Sequence, residues 1–318
     1  MRLVFCGTPR FAVPTLEALL AAGHDIPLVV TQPDRPVGRL QELTASPVKQ
    51  LALATGIPVT QPDKIRNNAE FREKLGALAP DAIVVVAYGR IIPPWMLALP
   101  RFGCINLHAS LLPKYRGAAP IQWAVAMGET VTGNTTMLLE EGLDTGPVLL
   151  QQTIAITSEQ TAADLFEVLA MGGAPLVVET LSGLWSGDIV PKQQDHSQAT
   201  LAPILQREDG RMDFAAHTAI ELKNRWRGFQ PWPGAFTALN GKKMIVHRMS
   251  VVDDPLGFLA ESSSPGHVVI RDARMFVNCA QQSWLEFVEV QADGRKRMRA
   301  SEFLRGIPSA AQPEMRLG

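Results

Sequence analysis

The chain has little of the material from which disulfides, metal centres and membrane spans are built. Its 318 residues contain three cysteines, Cys6, Cys104 and Cys279, which are isolated from one another and form no CxxC motif. This spacing argues against disulfides and against a structural zinc site. The six histidines are scattered, and no apolar run reaches the roughly 20 residues that a membrane helix needs. The N-terminus passes directly into a strand pattern, without a signal peptide. We therefore expect a cytoplasmic protein with no metal and no membrane association.

Charge is almost balanced overall but is divided unevenly along the chain. The formal net charge is −1; residues 1–190 carry 13 Lys and Arg against 17 Asp and Glu, and residues 191–318 carry 17 against 14. The second part holds three basic clusters: Lys223 with Arg225 and Arg227, Lys242 with Lys243 and Arg248, and Arg295 with Lys296, Arg297 and Arg299. Such clusters can bind nucleic-acid phosphates, but an ordinary solvated surface has the same composition.

The length predicts two domains. Apolar runs at residues 3–6, 28–30 and 83–87 alternate with helical patterns such as 14–23, which predicts a doubly wound, Rossmann-like α/β domain with a mostly parallel sheet over residues 1–187. Residues 7–9 lie where a glycine fingerprint would, but the second and third glycines are missing. A tight turn is therefore favoured there over a nucleotide site.

The second part of the chain has a different pattern. Residues 161–185 predict a long helix with a break at Gly172-Gly173, and the polar segment 188–206 is interpreted as a linker. A helical stretch at 216–226 precedes five short strand-like runs, at 235–239, 244–252, 267–270, 275–279 and 284–290. This spacing predicts a small antiparallel barrel over residues 207–318.

Residues 103–146 hold the sharpest chemical pattern. Asn106 and His108 end an apolar run two residues apart, so on a strand they face the same side. An amide and an imidazole there can donate to an oxygen that gains negative charge, as acyl transfer requires, and histidine can move a proton. Asp144, in the turn-rich segment 140–146, could orient His108. The alternative is that Asn106 ties a loop, His108 is a satisfied buried histidine and Asp144 caps a turn; residue types and spacing leave both open. Cys104 is interpreted as a buried strand residue rather than a nucleophile.

A family resemblance adds to this pattern. Residues 106–117 (NLHASLLPKYRG) and 142–146 (GLDTG) resemble the signature of the 10-formyltetrahydrofolate-dependent formyltransferases. Supporting segments lie along nearly the whole chain: 7–9 (GTP), 31–36 (TQPDRP), 46–49 (SPVK), 85–89 (VVAYG), 117–122 (GAAPIQ) and 231–234 (PWPG). The catalytic segment is shared with members that act on sugar nucleotides and glycinamide. The QPDRP segment and the C-terminal half resemble the members that act on initiator tRNA.

The resemblance implies an OB-like second domain and a reaction. The formyl group of 10-formyltetrahydrofolate would pass directly to the amine of methionyl initiator tRNA, for translation initiation, without a covalent enzyme intermediate and without a metal. His108 and Asn106 would stabilise the oxyanion, and Asp144 would hold His108 and help to remove the amine proton. The alternatives are a formyltransferase for a sugar-nucleotide amine and a folate- or RNA-binding module that has lost catalysis.

Binding residues are implied in the same way, and the protein is expected to be a monomer. The expected folate-binding residues are Ser110, Leu111, Leu112, Pro113, Tyr88, Gly89, Arg90, Ile91, Glu141 and Gly142. The expected tRNA-binding residues are Arg35, Arg39, Lys242, Lys243, Arg295, Lys296 and Arg297. Residues 32–43 resemble a loop that reaches the tRNA acceptor stem, but Gln41 and Glu42 stand where the relatives have lysines. That difference weakens a phosphate-binding role, and an ordinary surface loop is the alternative.

Overall fold

The structure, a computed structural model, describes residues 1–37, 42–252, 264–308 and 315–318. The chain divides into two compact units. The first comprises residues 1–121, 131–156 and 164–203, and the second comprises residues 122–130, 157–163 and 204–318. The polar segment that sequence reasoning treated as a linker thus clusters with the first unit as far as residue 203.

The first unit is built on a seven-stranded sheet. In spatial order its strands are β5 (Val59–Thr60), β2 (Asp25–Val30), β1 (Arg2–Gly7), β6 (Ala82–Val86), β7 (Cys104–His108), β8 (Val131–Leu138) and β9 (Val148–Ala155). The first five strands in this order, β5, β2, β1, β6 and β7, run parallel, and β8 and β9 are antiparallel to their neighbours. Two short strands, β3 (Arg35–Val37) and β4 (Glu42–Thr44), pair with each other separately. The predicted Rossmann-like, mostly parallel sheet is confirmed.

Parallel strands of such a sheet are covered on both faces, so their sequences are continuously apolar. All five residues of β6 are buried, as are five of the six in β1. Because β1, β6 and β7 run parallel, their last residues, Gly7, Val86 and His108, lie at one edge of the sheet. Ligands of open α/β sheets bind at this carboxyl edge. The loops that carry Tyr88 and the segment after His108 therefore begin where a site is expected.

Within the described residues, eight α-helices accompany the strands. They are α1 (Val13–Ala21), α2 (Pro47–Ala54), α3 (Ala69–Ala77), α4 (Pro94–Leu97), α5 (Pro120–Ala126), α6 (Ala162–Ser186), α7 (Ala219–Gly228) and α8 (Ala300–Arg305), with 3-10 turns at Arg10–Ala12, His196–Gln198, Arg207–Gly210 and Ala280–Gln282. Ser46, Asn68 and Thr218 cap α2, α3 and α7 by accepting a backbone N–H three residues on. Each such cap stabilises its helix by about 1 kcal/mol.

The predicted break at Gly172-Gly173 is wrong, because α6 continues through both glycines. A Cβ on Gly173 would lie 2.6 Å from Leu107 Cδ2, and one on Gly172 would lie 2.7 Å from the Gln152 amide oxygen. The glycines therefore let the helix approach strands β7 and β9 closely. By length and composition α6 is apolar enough to cross a membrane, and half of its apolar window is buried within the protein; a single helix of this kind is weak evidence for a membrane span.

The second unit contains an antiparallel sheet. Its strands follow the order β10 (Phe236–Leu239), β11 (Lys242–Val252), β14 (Trp284–Ala292), β13 (Arg274–Asn278) and β12 (Val268–Arg271), and β15 (Met298–Arg299) pairs with β14. Leu317 bridges Leu239 beyond one edge strand, and Arg316 bridges His267 beside the other. The last residues thus connect the two edges of the sheet. The predicted small antiparallel barrel is confirmed as a C-terminal domain of antiparallel strands.

Candidate active site

His108 and Asp144 meet at the carboxyl edge of the first sheet. His108 Nδ1 lies 3.6 Å from Asp144 Oδ2, and their side chains are 7% and 14% exposed. Asp144 has a positive φ of 50°, and its Oδ2 accepts a hydrogen bond of 2.8 Å from the backbone N–H of Gly117. The two residues that sequence reasoning paired are therefore adjacent, although they are 36 positions apart in the chain.

The other ring nitrogen of His108 faces a backbone carbonyl. Nε2 lies 2.9 Å from the oxygen of Tyr115, and a carbonyl can only accept, so Nε2 carries a hydrogen. An ionised Asp144 also only accepts. The ring can therefore donate at both nitrogens only in its protonated form, whose charge the nearby carboxylate would offset.

Asn106 lies two residues earlier on β7, on the side of the strand that also carries His108. It is half-buried. Its carboxamide makes no hydrogen bond within the described part of the chain, whereas His108 has two neighbours. The N–H groups of Asn106 are thus available to an incoming group.

The loop after His108 is shaped by buried hydroxyls. Ser110 Oγ donates to the carbonyl of Lys114 (2.7 Å), and Thr135 Oγ1 donates to the carbonyl of Ser110 (2.6 Å) while accepting from the backbone N–H of Leu112 (3.2 Å). Gln151 donates to both Thr135 Oγ1 and the Leu112 carbonyl, each at 2.9 Å. Sequence reasoning missed Thr135 and Gln151; Thr135 is a polar residue on a buried strand, and Gln151 lies exposed on the neighbouring strand β9.

The expected folate-binding residues divide by accessibility. Ser110, Leu112 and Tyr88 are buried, and the Tyr88 ring belongs to the core around β1 and β6. Their side chains therefore support the loops from within. The more accessible members are Leu111, Pro113, Gly89, Arg90, Ile91, Glu141 and Gly142. Ile91 is 89% exposed, and Leu143, beside Asp144, is 63% exposed. Large apolar side chains with this exposure are available for contact with a flat ligand.

The QPDRP segment contributes to the same edge. Gln32 Nε2 donates to the carbonyls of Tyr88 (2.8 Å) and Gly89 (3.2 Å), and Arg35 donates to Gln32 Oε1 (3.1 Å). Lys49 Nζ lies 2.5 Å from Asp34 Oδ2. Hydrogen bonds from Lys49 and Gln61 hold the pKa of Asp34 below its usual value. Arg35 is thus held by Gln32, which is itself hydrogen-bonded to the backbone of residues 88 and 89. Arg39 lies outside the described residues.

A buried polar network connects the histidine loop with residues 194–202. Arg116 donates to Gln194 Oε1 from Nε (3.2 Å) and Nη2 (2.6 Å), and Nη2 also lies 2.9 Å from His196 Nδ1. Gln194 Nε2 donates to the carbonyls of Asp144 (2.9 Å) and Gly146 (2.7 Å). Sequence reasoning missed Gln194 and His196, because the segment 188–206 has no apolar period and was interpreted as a linker.

The basic clusters of the second unit differ in how far their charges are already paired. Lys223 is paired with Glu159 (2.7 Å), and Arg227 is buried and donates to the carbonyls of Thr157 and Gln160. Arg225 donates to the Asp209 carbonyl. Burial lowers the pKa of both arginines. This first cluster therefore holds the unit together rather than facing a partner.

The other two clusters lie side by side at one end of the second sheet. Met244 pairs with Ala292, and the backbone N–H of Asp293 donates to the carbonyl of Lys243, so Lys242 and Lys243 adjoin the turn that carries Arg295, Lys296 and Arg297. Lys242, Arg295 and Lys296 are exposed. Lys243 Nζ sits 4.1 Å from the Phe236 ring centre, and Arg297 is ion-paired with Glu289. We call Lys242, Lys243, Arg295 and Lys296 the basic end.

The three cysteines are buried. Burial raises the pKa of the Cys104 thiol to about 12 and that of Cys279 to about 12, and it also raises the pKa of Cys6. Cys104 Sγ donates to the Met96 carbonyl (3.4 Å), so it is a core residue without thiolate character. Among the described residues, no group of three or more His, Cys, Asp and Glu side chains could hold a metal ion.

Two family models match this chain. Residues 1–181 match the model described as formyl transferase, and residues 204–308 match the formyl transferase C-terminal domain. An α/β sheet with Asn106, His108 and Asp144 at its carboxyl edge, followed by a small β domain, agrees with both matches. The chain belongs to the formyl transferase family.

Relatives of high identity point to one branch of that family. The methionyl-tRNA formyltransferase of Acidobacterium capsulatum is 63% identical over 318 residues, with 100% of both chains covered. The methionyl-tRNA formyltransferase of Koribacter versatilis is 55% identical, again over all of this chain and 99% of its own length.

Solved structures of lower identity share the fold. The N-formyltransferase from Helicobacter canadensis, in complex with folinic acid and dTDP-3-aminofucose, is 17% identical with a TM-score of 0.64, covering 91% of this chain and 98% of its own. HypX from Aquifex aeolicus in complex with tetrahydrofolic acid is 18% identical with a TM-score of 0.60, covering 96% of this chain and 48% of its own. At this identity the likeness concerns the fold.

Proposed function

We propose that the chain transfers the formyl group of 10-formyltetrahydrofolate to the amine of methionyl initiator tRNA, in the cytoplasm, as a step of translation initiation. The observation that carries the proposal is the contact of His108 with Asp144 beside Asn106, whose carboxamide has no hydrogen-bond partner among the described residues. The end-to-end identity with methionyl-tRNA formyltransferases supports the choice of acceptor.

The carboxyl edge of the first sheet fits a folate co-substrate. A pterin is flat, with donors and acceptors along its edge, so it suits apolar walls combined with main-chain contacts. The exposed side chains of Ile91 and Leu143 supply apolar surface. Backbone groups of residues 88–92 and 140–143, with Leu111 and Pro113, would hold the ring. The unpartnered Asn106 amide would face the formyl oxygen.

The reaction requires a donor for negative charge and an acceptor for a proton. 10-Formyltetrahydrofolate supplies a formyl carbon bonded to a nitrogen that can leave. Asn106 donates an N–H to the formyl oxygen while the amine attacks. His108 donates from Nδ1, because Nε2 is held by the Tyr115 carbonyl and the 3.6 Å between Nδ1 and Asp144 Oδ2 is longer than a hydrogen bond. Removal of one such donor commonly costs about 100- to 1000-fold in rate.

Asp144 completes the site. Its carboxylate balances the charge of a protonated His108 and accepts the proton that the attacking amine loses, directly or through water. When the tetrahedral intermediate collapses, the bond between the formyl carbon and the folate nitrogen breaks, and that nitrogen takes up a proton and leaves as tetrahydrofolate. The Gly117 N–H holds the carboxylate by its Oδ2 atom, which leaves Oδ1 for the amine. In this scheme no covalent bond forms between the enzyme and the formyl group.

The basic end, together with Arg297, is the proposed tRNA-binding surface of the second domain, and Arg35 and Arg39 are the proposed tRNA-binding residues of the first. Lys242, Arg295 and Lys296 are exposed and can each contact a phosphate. Residues 1–187 would form the catalytic domain and residues 207–318 the tRNA-binding domain of a monomer.

The test is a competition between acceptors. Purified protein is given 10-formyltetrahydrofolate with a labelled formyl group, together with charged initiator tRNA and a nucleotide-linked amino sugar at equal concentration. We expect the label to appear on the methionine of the tRNA. Label on the sugar would contradict the proposal and indicate a formyltransferase for a sugar-nucleotide amine. Folate binding without any formyl transfer would indicate a binding module.

A further inference from the structure

Gln194 uses its whole hydrogen-bonding capacity at the active site. Its Oε1 accepts two hydrogen bonds from Arg116, and its Nε2 donates one to the Asp144 carbonyl and one to the Gly146 carbonyl. The side chain is buried. It therefore joins two loops that are distant in sequence: the loop of Arg116, which follows His108, and the loop that carries Asp144.

The Arg116 side of this connection is rigid. The backbone N–H of Arg116 donates to the Thr200 carbonyl (2.8 Å), and its carbonyl accepts from the backbone N–H of Ala202 (2.7 Å). The next residue, Gly117, has a φ of 125°, and a Cβ on it would lie 2.5 Å from the Ala202 carbonyl oxygen. Asp144 is therefore held at its carbonyl by Gln194 and at its carboxylate by the N–H of Gly117, a residue that packs against Ala202.

The loop itself offers little else to fix Asp144. Residues 140–143 are exposed. The backbone of Asp144 is in the left-handed region and lies outside the hydrogen-bonded strands of the sheet. We propose that Gln194 is a positioning residue: through Arg116 and the two carbonyls it sets the place of Asp144 against His108. This inference rests on the proposed function, because it assigns Gln194 to the same site.

The first experiment replaces the N–H donors of Gln194 with a carboxylate oxygen. In Gln194→Glu the side chain can still accept from Arg116, but it has no N–H for the carbonyls of Asp144 and Gly146 and places a carboxylate against them. Gln193→Glu is the matched control, because Gln193 is the exposed neighbour and receives the same change. Formyl transfer to charged initiator tRNA is measured for both variants and the wild type.

We expect kcat of Gln194→Glu to fall by about 10- to 100-fold, since a misplaced catalytic group has effects of this size, while KM for both substrates stays within about twofold. Gln193→Glu should match the wild type. In an Asp144→Asn background the same Gln194 change should cost less than about threefold, because the residue acts through Asp144. An unchanged kcat, or an equal loss in both backgrounds, would overturn the inference.

A spectroscopic measurement separates this inference from the proposed function. In Gln194→Glu the ring carbon–hydrogen signal of His108 should move in the same direction as in Asp144→Asn, whether or not the wild type transfers formyl. A signal that stays at its wild-type position would refute the positioning role. If Gln194→Glu does not fold, Gln194→Met, which keeps the length and removes the polar groups, takes its place with the same criteria.

Discussion

Asn106 and His108 leave the same face of β7 but differ in the partners they already have. His108 is enclosed by the Tyr115 carbonyl and the Asp144 carboxylate, whereas the Asn106 amide is unpartnered within the described residues. Replacing Asn106 therefore removes a donor without releasing a buried partner. Replacing His108 also frees a carbonyl, which adds a structural cost of about 1–3 kcal/mol for a group left unsatisfied.

Asp144 provides the first residue-scale prediction. Asp144→Asn keeps the acceptor for the Gly117 N–H, so the fold should survive, but it removes the charge opposite His108 and the proton acceptor. We expect turnover to fall by about 100-fold or more and the pH–rate profile to change its shape. A variant with full activity and an unaltered profile would show that Asp144 only caps its turn.

The catalytic roles of Asn106, His108 and Asp144 remain a prediction, but the proximity of His108 to Asp144 could be expected from the sequence, because each residue lies in a contiguous motif whose chemistry is specific. The contacts of Gln194 and Thr135 could not. The role of Gln194 depends on carbonyls 48 and 50 residues away, and a backbone carbonyl has no side-chain signature. The sequence also could not predict which of the expected folate-binding residues are accessible. Burial of Ser110 and Tyr88 depends on tertiary packing, which the spacing of residues in the sequence does not encode.

At the scale of elements, the positions of the strands were predicted closely, whereas the predicted break in the long helix is absent from the structure. The run at 244–252 corresponds to β11 and the run at 284–290 to β14, because alternation is a local property. Gly172-Gly173 carries the usual signal for a helix break, yet its local sequence cannot show that β7 lies against it. In the folded protein the glycine pair therefore allows close packing of the helix instead of ending it.

This packing predicts opposite effects for two glycines. Gly173→Ala should lower the free energy of unfolding by about 1–2 kcal/mol, because overpacking against buried Leu107 exceeds the gain in helix propensity. Gly76→Ala in α3 meets nothing within 4 Å and should raise it by about 0.5–1 kcal/mol. Denaturant unfolding measures both. Equal stabilisation by the two substitutions would contradict the close approach of α6 to β7.

At the scale of the whole molecule, the uneven distribution of charge indicates a binding surface only once it is known which basic side chains are already paired within the protein. The excess of basic residues beyond residue 190 includes the α7 cluster, whose charges serve the second unit internally. The basic end keeps exposed charges. In the sequence alone the three clusters had equal standing, since Glu159 and the Thr157 carbonyl, the partners of Lys223 and Arg227, lie 64 and 70 positions away.

The basic end makes a prediction about salt. Lys242→Gln with Lys243→Gln should raise KM for charged tRNA and flatten the salt dependence of binding by roughly 0.7 to 0.9 log units per lost phosphate contact. Lys64→Gln with Lys74→Gln, exposed positions in the first unit, is the matched control. Filter binding across a salt series checks both pairs. Unchanged affinity and slope in the first pair would exclude these lysines from the tRNA surface.

The central claim is that Asn106 and His108 act on the formyl group during its transfer to methionyl initiator tRNA. The most direct measurement is single-turnover transfer of labelled formyl by the wild type, Asn106→Ala and His108→Ala, with folate affinity measured on the same preparations. We predict labelled formylmethionyl-tRNA from the wild type, rates lower by about two orders of magnitude or more in both variants, and folate binding that persists. Wild-type rates in either variant would contradict the role of that residue.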